Sequence, residues 1–329
     1  MKAPHFWSAG LDPHSREAAP LTRALLTPLA ALYAVSSARR IARTEPFQSS
    51  LPVLCIGNIT SGGSGKTPSV LALSALLKQS GLRPAILARG YGGRLKGPVQ
   101  VDPETHSAAD VGDEPLMMAI RGETVWISRD RPSGARRIAD SNADIILMDD
   151  GHQNPTLFKD MSLLVVDAAA PFGNGYVIPK GPLREPVSRA LARADAILLI
   201  GEGRVPQPIA ASGLPVFRGH VQPRPLLSQN PMVAFAGIGR PERFFQSLEG
   251  QGAQLCETLS FADHYRYRRA DLRRLRTLSE QYKADLITTE KDYIRLPETE
   301  RYGITVLSIE IVFDAQSALV DAIHHLLRI

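Results

Sequence analysis

LPVLCIGNITSGGSGKTPSVLALSALLKQSG, residues 51–81, is the stretch that decides the fold. It opens on an apolar run, passes through GNITSGGSGKTPSV at 57–70, and continues with apolar residues at helical spacing: strand, glycine-rich turn, helix. In a phosphate-binding loop, glycines let backbone N–H groups converge on phosphate oxygens. A Lys adds a point charge, and the Thr after it holds magnesium at the helix N-terminus. Gly62, Gly63, Ser64, Gly65, Lys66 and Thr67 stand where those roles require, Thr60 and Ser61 lead into the turn, and Pro68 suits a first helical turn. The generic pattern GxxxxGK[ST] asks for glycine where this chain has Thr60, and Gly57 is the nearest glycine upstream. The stretch predicts a nucleotide site.

Downstream, ADIILMDDG places four apolar residues before Asp149 and Asp150, the pattern of a buried parallel strand that delivers carboxylates to the C-terminal edge of a sheet. A phosphate loop needs magnesium, and magnesium needs such a carboxylate, so the pair extends the prediction to nucleotide hydrolysis or phosphoryl transfer. SLLVVD and DAILLIG repeat the strand type, and helical stretches alternate with them near Asp113 and Pro132. The expected fold is α/β: a parallel sheet like that of the P-loop NTPases. Residues 201–231 turn Pro- and Gly-rich, and a second, smaller α/β unit follows. The expected bounds are an N-terminal segment 1–48, a kinase core 49–205, a linker 206–230 and the smaller unit 231–329.

The 329 residues carry a net charge of +5, which fits an anionic partner, and the basic residues form no long run. Cys55 and Cys256 have neither metal spacing nor framework density and are expected as buried thiols. Between Arg23 and Arg39 lie fifteen uncharged residues, ALLTPLAALYAVSSA, followed by Arg39, Arg40 and Arg43. A bilayer core takes about 20 apolar residues, so the run is short for a span. It suits a helix in the headgroup region or one packed on the protein's own surface.

The glycine pair before Ser64 is similar to the KGGxGK[ST] loop of ATPases that sort plasmids or insert metals, but Ser61 stands where their Lys would be. Guanine recognition by [NT]KxD finds only TTEKD, residues 288–292, with its Lys one place late, so ATP is the expected nucleotide. Asp113 and Glu114 are adjacent carboxylates after a glycine, and His264 follows Asp263; by pattern alone Asp113 also suits a helix N-cap and His264 a surface loop.

Taken in order, PLAALYAVSSARR, GNITSGGSGKTP, ARGYGG, VGDEP, DDGHQ, FGNGYVIPKGPLREP, AGIGRPERFF, FADHYRY and TTEKD resemble the tetraacyldisaccharide 4'-kinase family, the lipid A pathway kinases, over nearly the whole chain. That family's loop has the form GNxTxGGxGKTP, which accounts for Thr60. The resemblance implies ATP and Mg2+ as cofactors, Asp113 as base for the acceptor hydroxyl with His264 assisting, and Glu114, Asp149 and Asp150 with Thr67 near magnesium. It implies that Arg89, Tyr91 and Arg184 lie toward an acylated disaccharide substrate, in a cleft between the two units. It also implies an N-terminal membrane-associated helix at the cytoplasmic face of the bacterial inner membrane, with no nucleic acid or obligate protein partner. The chain departs from the family's pattern at Asn154, where a His is common, and at His152, commonly apolar. The other function consistent with the loop is a switch or assembly ATPase that acts on a protein partner.

Overall fold

The computed structural model describes residues 4–10, 12, 15–62, 65–225, 228 and 230–327. Thirteen strands lie among them: β1 Val53–Gly57, β2 Pro84–Ala88, β3 Val99–Gln100, β4 Val125–Ile127, β5 Ile145–Asp149, β6 Met161–Asp167, β7 Ala196–Ile200, β8 Val216–Pro223, β9 Met232–Ala236, β10 Leu255–Ser260, β11 Asp285–Thr289, β12 Ile304–Leu307 and β13 Ile309–Phe313. Nine form one sheet in the order β13-β8-β7-β6-β1-β5-β2-β4-β3, and four form a second in the order β10-β9-β11-β12. Neighbours are parallel except at the two edges of the larger sheet, where β3 and β13 run antiparallel to β4 and β8.

The continuous apolar runs of the central strands follow from burial on both faces. Along β1, Leu54 and Ile56 enter one core while Val53 and Cys55 enter the opposite one. The helix Lys66–Gln79 covers the first face with Leu73 and Leu77, and the helix Arg131–Ala139 covers the second with Ala135 and Ile138. In the smaller sheet β9 alternates likewise: Val233 and Phe235 meet the helix Arg269–Tyr282 through Leu272 and Leu275, whereas Ala234 meets Phe244 and Leu248 of the helix Pro241–Glu249.

The expected bounds need two corrections. The stretch expected as a linker, 206–230, contains the helix Gln207–Ala210 and all of β8, an integral strand of the larger sheet. The last residues of the expected smaller unit also belong elsewhere. After β12 the chain crosses at Ser308 into β13, which pairs with β8, and the helix Gln316–Leu327 then buries Leu319 and Ile323 against the core of the larger sheet. β8 escapes sequence reading because all of its residues but Gly219 are exposed or half-buried and its β13 partner lies about ninety residues on, beyond any local pattern. Cys55 is buried, with its thiol pushed up to about 11 by burial, while Cys256 is only partly buried.

The N-terminal helix runs Pro20–Arg43, 24 residues, longer than the uncharged run because both basic ends are helical. By length and composition it is apolar enough to cross a membrane. Leu21, Leu25, Leu29 and Leu32 follow helical spacing and are all exposed.

Candidate active site

Register brings the two sequence signals together. Ile56 of β1 pairs with Asp149 of β5, and the amide of Asp150 donates to the Ile56 carbonyl at 2.9 Å, so the carboxylates sit where the glycine-rich loop leaves the sheet. The turn demands left-handed backbone at Gly62 (φ +121°) and Gly65 (φ +84°). Gly63 and Ser64 lie outside the described residues. Buried Asn58 donates from Nδ2 to the Thr60 carbonyl at 2.8 Å. Residues 176–184 strap the outside of the loop: Ser61 donates to the Pro182 carbonyl and Arg184 to that of Ile59, each at 2.7 Å. Gly57 is required for another reason, since a Cβ there would fall 2.5 Å from the Cβ of His152.

Lys66 opens the helix 3.7 Å from Oδ1 of Asp150, and Thr67 beside it is buried. Asp150, at φ +52°, also accepts from Nη1 of Arg184 at 2.7 Å. Burial would raise its carboxyl, but the charges of Lys66 and Arg184 outweigh burial and hold it below the usual range. Asp149 is the converse. Burial, with Glu114 and Asp150 as like charges, pushes it up to about 7, and its Oδ1 is buried without a hydrogen-bond partner. Sequence reading missed Arg131, whose buried fork donates to the carbonyls of Ser128 (3.0 Å) and Asp149 (3.1 Å) and so braces the end of β5. Its only sequence signal is a basic residue at a strand-to-helix junction.

The second cluster joins the two sheets' units. Asp113 begins the helix Asp113–Ile120, with Gly112 rather than Asp113 as N-cap; Gly112 is at φ +93°, where a Cβ would meet the Tyr91 carbonyl at 2.5 Å. His264, at φ +57°, reaches across from the smaller unit and sets Nδ1 3.1 Å from Oδ2 of Asp113. Arg295 adds Nε at 2.8 Å and Nη2 to the same oxygen. Burial would raise the Asp113 carboxyl, but the His264 hydrogen bond and the Arg295 charge hold it well below the usual carboxylate range. The bond to Asp113 in turn raises the imidazole of His264. Lys291 pairs with Glu114, and Arg121 with Glu290. On the other flank, Asp167 at the end of β6 takes Arg240 (2.8 Å) and Arg243 (2.7 Å) from the smaller unit. Apart from His264, none of these basic partners was legible, because each pairs with a residue dozens to hundreds of positions away.

Of the residues expected toward an acceptor, Tyr91 is exposed with its ring edge-on to His264 at 5.8 Å, and Arg89 is exposed at the end of β2. Arg184 lies instead on Asp150 beside the phosphate loop. His152 is buried, with Nδ1 3.2 Å from the Ser162 hydroxyl and Nε2 3.1 Å from the Ala190 carbonyl; burial pushes its pKa down to about 3. Asn154 accepts from the amide and hydroxyl of Thr156, a turn-forming role.

The N-terminal helix lies along the body. Lys180 donates to Thr27 at 2.9 Å, Arg23 stacks 4.9 Å over the Tyr176 ring, and Arg40 donates to the Gln153 carbonyl at 3.2 Å. Between its C-terminal half and residues 185–193 runs a groove of about 330 Å³ with Ala34, Ala38 and Ile41 on one wall and Arg189 and Arg193 on the other. Gln153 links this groove to the loop, donating from Nε2 to the Asn58 carbonyl (2.8 Å) and to Glu185 (3.0 Å).

Comparison with known proteins matches residues 22–328 to the family model LpxK, tetraacyldisaccharide-1-P 4'-kinase. The chain is 52% identical over 323 residues to the tetraacyldisaccharide 4'-kinase of Hyphomonas neptunium, covering 98% of this chain and 97% of that one. It is 47% identical to the enzyme of the same name from Rhodospirillum centenum, covering 97% and 95%. Among solved structures, LpxK from Aquifex aeolicus in complex with ATP superposes with a TM-score of 0.75 at 27% identity, covering 93% of this chain and 99% of that one.

Proposed function

The chain belongs to the tetraacyldisaccharide 4'-kinase family, and on that premise we propose how its residues carry out the transfer. It is an ATP-dependent kinase that moves the γ-phosphate to the 4'-hydroxyl of a tetraacylated glucosamine disaccharide 1-phosphate in lipid A biosynthesis. The observation that carries the assignment of roles is the Asp113–His264 pair, one member from each unit, directly beside Glu114, whose charge acts on Lys66 and Asp149 of the phosphate-loop cluster.

Lys66 neutralises charge on the β- and γ-phosphates. Asp113 orients the acceptor hydroxyl and takes its proton as the new O–P bond forms and the bond from the γ-phosphorus to the bridging oxygen breaks. A carboxylate of low basicity suffices, since phosphoryl transfer is loose and positioning dominates. The donor set fits magnesium. Asp149 carries an unpartnered buried oxygen among like charges, and no cluster of three protein ligands exists among the described residues, as suits an ion that takes one or two carboxylates with phosphate oxygens and water. Thr67 and one or two of the carboxylates of Asp149, Asp150 and Glu114 would hold it with phosphate oxygens and water; when bound it offsets phosphate charge. The loop residues 60–67 cradle the phosphates.

The acceptor approaches from the membrane. The helix Pro20–Arg43 lies in the headgroup layer at the cytoplasmic face of the inner membrane rather than crossing it, because contacts at residues 23, 27 and 40 bind it lengthwise to the body while four leucines point away. Tyr91 and Arg89, both exposed and Tyr91 edge-on to His264, line the acceptor's path. Arg184, paired with Asp150, serves the phosphate end.

Incubation with γ-labelled ATP, magnesium and an extracted acyl-disaccharide should move label into the lipid. ATP turnover with no labelled lipid would instead identify a switch ATPase.

A further inference from the structure

Arg295, the last residue of the helix Glu290–Arg295, has 7% of its side chain exposed and uses all three guanidinium nitrogens. Nε and Nη2 both donate to Oδ2 of Asp113; Nη1 donates to the Gly237 carbonyl at 2.8 Å and to Oδ1 of Asp292 at 3.1 Å. Asp292 is fully buried and is itself fixed by the hydroxyls of Tyr267 (2.9 Å) and Thr289 (2.7 Å). Tyr267 packs edge-on against Phe235 of β9. An unbroken set of packed and hydrogen-bonded groups therefore runs from the core of the smaller unit to one carboxylate oxygen of the larger. His264 meets that same oxygen.

We propose that Arg295 is a positioning residue for the transfer: its fork fixes the plane of the Asp113 carboxylate and aligns it with His264, so the acceptor-side pair is complete only while the smaller unit is seated. This rests on the reading of Asp113 as the group that meets the acceptor hydroxyl. Two features separate it from an ordinary interface ion pair. The units are already tied through Lys291–Glu114 and Arg121–Glu290, both more exposed, so Arg295 is not needed merely to join them. Its three directions of donation also require a planar guanidinium, which the point charge of Lys cannot reproduce.

The test compares full-length Arg295→Gln, Arg295→Lys, Asp113→Ala and the Asp113→Ala/Arg295→Gln double variant, with kcat, both KM values and melting temperature read for each. Misplacing a reacting group by an ångström costs about 10²-fold. Arg295→Gln should therefore lose about that much kcat with KM for ATP unchanged, and Arg295→Lys should recover part of it. Because Arg295 acts through Asp113, the double variant should be no slower than Asp113→Ala alone. Should Arg295→Gln fail to fold, Arg295→Lys at wild-type kcat overturns the proposal. So does an ATP KM that rises in step with the loss of kcat, or a double variant in which the two losses multiply. Wild-type kcat in Asp113→Ala would remove the acceptor reading itself; a dead Asp113→Ala beside fully active Arg295 variants removes only the role of Arg295.

Discussion

Lys66 closes the loop at the start of its helix, and His152 packs against Gly57 where the loop begins. Lys66 is mostly buried, and its carboxylate neighbour Asp150 keeps a second cation, Arg184, when Lys66 is removed. Lys66→Ala should therefore abolish phosphate transfer while leaving the melting temperature near that of the wild type. A folded Lys66→Ala protein with full activity would contradict the phosphate-loop assignment. His152 is buried and neutral, with a folded pKa of about 3 against 6.5 unfolded. As pH falls below 6.5 the unfolded chain takes up a proton that the folded chain refuses, so stability drops by up to about 1.4 kcal/mol per pH unit until pH approaches 3. Denaturant titrations from pH 7 to 4 should show this slope, and His152→Leu should lack it. Identical slopes in the two proteins would mean that His152 is not the group responsible.

The N-terminal helix shows how one element can belong to two environments. One side is held by Lys180, Tyr176 and Gln153, and the other exposes Leu21, Leu25, Leu29 and Leu32. Each leucine that leaves water contributes about 1.5–3 kcal/mol. Leu25→Ser/Leu29→Ser/Leu32→Ser should thus weaken liposome binding by well over about tenfold and raise the KM for lipid, with melting temperature and KM for ATP unchanged, because none of the three side chains packs in a core. Flotation of the triple variant with liposomes as complete as that of the wild type would show that this face does not meet lipid. The strap at 176–184 is a second element of this kind. It touches Thr27 through Lys180 and the phosphate loop through Pro182 and Arg184, so it mechanically joins the helix to the nucleotide site.

At the scale of the whole molecule, the two units meet through paired charges, and pairing of this kind depends on pH. Asp113 and Glu114 are held below their unfolded values, burial being outweighed by His264 and Arg295 on Asp113 and by Lys291 on Glu114. Their contribution is present above about pH 4.5 and is lost as pH falls through the depressed folded values. His264 is raised, chiefly by its bond to Asp113, so its contribution is complete below about pH 6.5 and disappears as pH rises through the raised folded value. Contact between the units should be tightest between about pH 4.5 and 6.5. Hydrogen exchange of the amides at 112–116 and 262–266 should quicken on the alkaline side beyond the intrinsic base catalysis of exchange, and His264→Gln should remove that excess. An excess that survives in His264→Gln would assign the effect to another group. The sequence by itself determined the phosphate loop, the carboxylates at the end of β5, the alternation of strand and helix, and the presence of a second α/β unit. Each is written in residues adjacent in the chain, where periodicity and turn chemistry act. Only the tertiary structure decided that β8 and β13 complete the larger sheet, that Arg184 turns to Asp150, and that Arg295, 182 positions from Asp113, closes on its carboxylate. The spacing of residues along an element fixes which face is apolar. It carries no record of which distant face will be pressed against it, and that is settled by how the buried surfaces of the whole chain fit together.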